Sequence, residues 1–126
     1  MSNFHLRANV GINETKYHVG LSIVEFVEDE IIIVYSPALD LSGYGKTIEE
    51  AQQSFTNAME EFFRYTTNKK TLDKVLKDLG WAVKGSKKNL KFNPPKDSDL
   101  IISNSLYNEI VNNKSYKVSK QQIEFS

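Results

Sequence analysis

Glu30–Phe63 reads EIIIVYSPALDLSGYGKTIEEAQQSFTNAMEEFF, and the fold turns on this stretch. Ile31–Tyr35 is a β-branched apolar run closed by a tyrosine, the composition of a strand covered at least partly on both faces. Pro37 has no amide for a sheet ladder and biases Ser36 toward extended backbone, so the strand is expected to end there. Gly43 and Gly45 read as a tight turn with positive φ. Thr47 and Glu50 form the T-x-x-E pattern, in which two side chains satisfy amides of a helix's first turn. Ile48, Ala51, Phe55, Ala58, Met59 and Phe62 follow at spacings of three and four and make one apolar stripe. Glu49, Gln53, Thr56, Asn57 and Glu60 make the other face. The unit is a buried strand, a glycine turn and an amphipathic helix laid back on a sheet.

On the N-terminal side, Phe4, Leu6, Ala8 and Val10 alternate with polar residues, the period of a half-buried strand. Gly11–Lys16 reads as a turn and Tyr17–Val27 as a second strand. Glu28, Asp29 and Glu30 form an acidic hairpin tip before the strand at Ile31. The expected fold class is therefore α+β: a three-stranded antiparallel sheet with one packed helix, from Ile48 to about Tyr65, plus a small C-terminal α+β region. In that region Thr71 is expected to cap a short helix whose Leu72, Val75, Leu76 and Leu79 point inward, with Gly80 as its stop. Trp81, Val83, Leu90 and Phe92 flank a Gly-Ser-Lys-Lys turn and suggest a hairpin. After Pro94-Pro95, Asp99–Asn113 reads as helical. Tyr116, Val118, Ile123 and Phe125 suggest a last strand or an extended tail. A boundary is placed between residues 66 and 67, the second part packing on the first.

The run S-P-A-L-D-L-S-G-Y-G-K-T-I-E-E-A, Ser36–Ala51, resembles the signature of the HicB family, the antitoxins of HicA–HicB pairs. The features carrying it are Pro37 and Leu39, the turn and cap at Gly43, Gly45 and Thr47, and Glu49-Glu50-Ala51 with Glu50 at the helix start. The likeness covers about residues 20 to 65. It implies a partial double-stranded-RNA-binding-domain-like fold and a HicA-like, mRNA-cleaving toxin as partner. Residues 66–126 show neither a ribbon–helix–helix nor a helix–turn–helix pattern. Leu76–Phe92, helix–Gly-Trp–strand–Gly-Ser–strand, is similar to the small HicA toxins themselves. Lys87 stands where those toxins carry a histidine, so ribonuclease activity does not carry over.

The chain has 126 residues and no cysteine, which excludes a disulfide framework, a thiolate metal site and a cysteine nucleophile. No segment reads as a signal peptide or a membrane span, so a cytoplasmic protein with no membrane partner is expected. The formal net charge is zero, but the charge is split. Met1–Phe63 carries 3 Lys+Arg against 10 Asp+Glu, and the remainder carries 13 against 6. Such asymmetry suits a charged partner, self-association into a homodimer or higher oligomer, or two halves folding on each other.

Catalytic and metal readings find no support in the residues. Gly45-Lys46-Thr47 resembles the end of a phosphate loop, but Asp40 stands where that motif needs its first glycine. His5 and His18 have no ligand-spaced neighbours, and adjacent glutamates on a helix do not face each other. No cofactor, metal or catalytic residue is expected. Two binding surfaces are. The acidic residues Glu28, Asp29, Glu30, Glu49, Glu60 and Glu61 are candidates for docking a basic toxin. The basic block Arg64–Lys96, with Lys84, Lys87, Lys88 and Lys91 on the hairpin and Trp81 and Phe92 between lysines, is a candidate for RNA or DNA. The bland alternative is solvated lysines around core aromatics.

Overall fold

The computed structural model of the chain describes residues 6–8, 17–68, 71–84 and 91–125. The fold is α+β; the described residues form a mainly antiparallel sheet, a separate two-stranded sheet and four helices. The large sheet is built from β1 (Leu6–Ala8), β2 (Tyr17–Glu28), β3 (Ile31–Ser36), β4 (Leu41–Gly45) and, from the far end of the chain, β7 (Tyr116–Phe125). Its order is β1-β7-β2-β3-β4, with β1 parallel to β7 and the other pairs antiparallel. The three expected strands all belong to this sheet, and two more widen it. Of the first strand's expected residues, Phe4 and Val10 lie outside the described residues, as does the turn at 11–16.

The β2–β3 hairpin turns through two residues. Glu28 pairs with Ile31, and Asp29 and Glu30 between them have φ of 52° and 67°. Two consecutive positive φ values fit a type I′ turn, whose twist matches the strands it joins.

The helix α1 (Ile48–Asn68) packs on β4 through Ala51, Phe55, Met59 and Phe63, all fully buried. The buried stripe thus ends on Phe63, with Phe62 only partly covered. Thr47 Oγ1 accepts from the Glu50 amide at 3.1 Å, as expected. Glu50 returns its carboxylate to the Lys46 amide at 3.0 Å, one residue before the cap.

The glycine turn is a correction. Gly43 and Gly45 lie inside β4, and neither has positive φ. They are glycines because the helix sits on them: a Cβ on Gly43 would lie 2.2 Å from the Phe55 amide nitrogen, and one on Gly45 would lie 2.5 Å from that of Ala51. The turn before β4 falls instead at Pro37–Asp40, where Asp40 takes φ of 55°.

The second half covers the opposite face of the sheet over β2 and β3, where Ser22 donates to Asp97 and Asn104 donates to Tyr35. It comprises α2 (Leu72–Asp78), the hairpin β5 (Ala82–Lys84) and β6 (Lys91–Asn93), α3 (Asp97–Ser103) and α4 (Ser105–Asn113). Thr71 precedes α2 but makes no side-chain cap; its hydroxyl donates to the Thr66 carbonyl at 3.4 Å. The stop at Gly80 is as expected. Gly80 has φ of 95°, its amide bonds Lys77 O, and the Trp81 amide bonds Leu76 O, a Schellman motif. The single helix expected over Asp99–Asn113 is broken at Asn104, whose Oδ1 accepts from the Tyr107 amide and starts α4. One continuous core joins both halves, from Val19 in β2 to Ile110 in α4 and Ile123 in β7. The sheet therefore spans the boundary drawn at residue 66. No described helix is long and apolar enough to cross a membrane.

Candidate partner-binding groove

Strand register sorts the sheet's side chains. Val19, Leu21, Ile23, Glu25 and Val27 of β2 share a face with Ile123, Gln121, Ser119 and Lys117 of β7 and with Val34 and Ile32 of β3. This is the α1 face, because Gly43 and Gly45 of β4 pair with Val34 and Ile32. Helix α1 covers the β4 side and begins at Ile48. At the Asp29–Glu30 end the helix has only just started, and the sheet is left open. A groove of about 630 Å³ lies there, lined by Glu25, Val27, Ile32, Ile48 and Lys117 together with Phe26, Lys114, Ser115 and Tyr116, so that one carboxylate stands against two lysines. Val27 is 62% exposed, a large value for a valine in mid-sheet.

Glu25 stands out chemically. Its Oε1 is buried with no hydrogen-bond partner, the one such side-chain atom among the described residues. Lys117 is its cross-strand register partner, yet no ion pair joins them. A buried polar atom left unsatisfied costs roughly 1–3 kcal/mol, and more when charged. Nearby, Lys114 bridges to Glu28 at 3.2 Å and lies 6.0 Å from the Phe26 ring centre.

None of the six acidic residues expected to dock a partner is among the groove's lining residues. Glu28 closes β2 and is paired with Lys114, Asp29 and Glu30 form the hairpin turn that follows, and Glu49 follows Ile48 at the start of α1. Glu60 and Glu61 do not join them. They lie eleven and twelve residues further along the helix, about 17 Å away at 1.5 Å per residue, and Glu61 is engaged by Arg64 at 2.8 Å. Sequence reading missed Glu25, although a signal was present: it interrupts the apolar alternation Val19, Leu21, Ile23. Lys114 and Lys117 had no such signal, because they reach the groove from the far end of the chain.

The opposite end of β3 is closed by polar pairing. The buried Tyr35 hydroxyl donates to Asp40 Oδ1 at 2.7 Å and accepts from Asn104 Nδ2 at 2.9 Å. Burial pushes this phenol well above its ordinary pKa, and the neighbouring Asp40 pushes the same way. Trp81 Nε1 donates to the Ala38 carbonyl at 2.8 Å across the Pro37–Asp40 turn. A hollow of about 570 Å³ lies beside them, lined by Pro37, Asp40, Asp78, Gly80 and Asn104. Asp40, Asn104 and Asp78 are already engaged, Asp78 by Lys74 at 2.9 Å.

In the basic half, Lys84 and Lys91 are exposed register partners on the β5–β6 hairpin. Lys87 and Lys88 lie outside the described residues. Trp81 and Phe92 are buried in the core, so neither offers a face to a base. Among the described residues no group of three or more His, Asp and Glu could hold a metal ion. His5 and the side chain of His18 lie outside the described residues. No protein-family model matches the chain, and neither does any curated protein or solved structure.

Proposed function

We propose that this chain is a HicB-like antitoxin that binds and neutralises a HicA-like, mRNA-cleaving toxin by occlusion rather than by chemistry. The observation that carries the reading is an exposed acidic hairpin end, Glu28, Asp29 and Glu30, which joins the two strands whose Val27 and Ile32 line an open groove. An RNA-cleaving enzyme needs a basic surface for its substrate. An exposed acidic tip beside apolar surface is a physical complement to such a surface: the tip speeds encounter, and the apolar surface holds the complex. The run Ser36–Ala51 supports the reading, since its two glycines bring α1 directly onto β4 and set Ile48 at the groove.

The test is association with a basic protein encoded beside this one. Reversing Glu30 and Glu49 to lysine, with Asp29 kept for its turn geometry, is expected to slow association at low salt, while circular dichroism shows an unchanged fold. A folded double mutant that associates as fast as wild type would sink the reading. A second reading, an RNA- or DNA-binding module, has one observation in its favour: the exposed Lys84–Lys91 pair across the hairpin. Under it, glutamine at both positions weakens RNA binding and flattens its salt dependence by about one unit of slope per lost phosphate contact.

A further inference from the structure

The two margins of the large sheet are finished differently. At β4 the helix α1 lies over the strand, and Ser54 Oγ accepts from the Tyr44 amide at 3.1 Å, so a backbone donor of that outer strand is already taken. At the far margin, β7 pairs with β2 over Tyr116–Phe125, but on its other side β1 meets only Ile123–Phe125. Among the described residues no strand lies beyond the run Tyr116–Gln122. An unpaired edge is a template for another strand, and lysines usually blunt it. Here the blunting is partial. Lys120 is held by Asp97 at 3.5 Å, and Tyr116 and Val118 on the same face are 40% and 45% exposed.

We infer that this edge pairs with the same edge of a second copy of the chain, antiparallel across a two-fold axis at Val118. The run itself selects that occupant and that register. Paired residues in an antiparallel ladder share a face, so the axis falls on a residue and not between two. An axis at Lys117 or at Lys120 sets a lysine against its own copy, which is unfavourable. An axis at Ser119 sets Ile123 opposite Ser115, in the slot that β1 already fills. An axis at Val118 has neither fault. It sets Val118 on its copy, Tyr116 against the stem of Lys120, and Lys117 against Ser119, with no like charges opposed. One short run thus supplies both sides of the match, as a two-fold interface requires. The pairing needs no toxin and stands or falls apart from the antitoxin reading.

The experiment uses the full chain, which has no cysteine, so that single thiols can be placed cleanly. Sedimentation equilibrium of the wild type is expected to show a mass rising with concentration from 14.4 kDa toward twice that value. Directly opposed Cβ atoms lie about 4.5–5.5 Å apart, near enough for a disulfide after a small adjustment. Under mild oxidation Val118→Cys should therefore cross-link about tenfold or more faster than Ser119→Cys, and faster by a similar factor than Ile102→Cys, a more exposed site on α3 that reports random collision. Val118→Lys opposes two like charges and should raise the dissociation constant about tenfold or more. Circular dichroism checks that each variant folds. A chain that stays monomeric at every concentration, cross-linking of Ser119→Cys or Ile102→Cys as fast as Val118→Cys, or a folded Val118→Lys chain that dimerises as tightly as wild type would each overturn the inference.

Discussion

The two ends of β3 carry the same kinds of residue and finish differently. At the Ser36 end, the Tyr35 hydroxyl, Asp40, Asn104 and the Trp81 ring nitrogen all find partners, drawn from turns and helices far apart in the chain. At the Ile31 end, Val27 is exposed, Ile32 is half covered and Glu25 Oε1 has no donor. A polar group buried beside apolar surface is costly unless paired, so the first end reads as structure. The second end keeps an uncompensated acceptor and open apolar surface.

Substitutions can break or sharpen this contrast. The largest effect belongs to what both ends share, the contact of α1 with β4. Gly43→Ala places a Cβ against the Phe55 backbone, which cannot rotate away. We expect a loss of about 3 kcal/mol or more, at the upper end of overpacking costs, read as a fall in the urea midpoint. A midpoint within error of wild type would mean that the helix can lift from the strand cheaply.

At the closed end, Asn104→Ala removes both the cap acceptor for Tyr107 and a donor to Tyr35. A lost cap and a lost buried hydrogen bond together should cost about 2 kcal/mol. Thermal melts at neutral pH check this, and a stable mutant would show that water replaces Asn104 without penalty.

The open end should respond with the opposite sign. Glu25→Leu removes the unpaired acceptor and extends the apolar stripe of Val19, Leu21 and Ile23. It is expected to stabilise the chain by about 1 kcal/mol, read as a raised urea midpoint. A destabilised Glu25→Leu would mean that the carboxylate is satisfied within the chain, and the contrast between the two ends would collapse.

The smallest expected effect is at the hairpin tip. Glu30 holds φ of 67° without being glycine, so Glu30→Gly relieves a left-handed residue in a two-residue turn. We expect a gain of about 0.5–1 kcal/mol, somewhat below the usual left-handed cost because glycine also gains freedom when unfolded. A lowered melting temperature would argue that Glu30 makes a contact of its own.

Much of the molecule was legible from local chemistry. Apolar spacing set α1, Thr47 with Glu50 set its start, Gly80 set the end of α2, and Asp29-Glu30 set the hairpin. Each of these depends on residues a few positions apart, where side-chain period, backbone φ and hydrogen bonds to nearby amides leave few alternatives. The glycines show the limit of such reading. A pair of glycines signals missing side chains, but whether for a turn or for a neighbour's approach depends on where α1 lands.

For β7 the extended conformation was legible, but its place in the sheet lies beyond that limit. YKVSKQQIEF alternates poorly and carries two lysines and two glutamines, yet it pairs along ten residues of β2. One of its faces holds Tyr116, Val118, Lys120 and Gln122, all exposed, so half of its positions never needed to be apolar. The same pairing brings Lys117 opposite Glu25 and Lys114 to Glu28, some ninety residues apart, and so completes the groove. Residues set the elements because helices and turns are short-range; the sheet edge, the groove and its orphaned carboxylate follow from long-range pairing, whose register is chosen by the whole core at once.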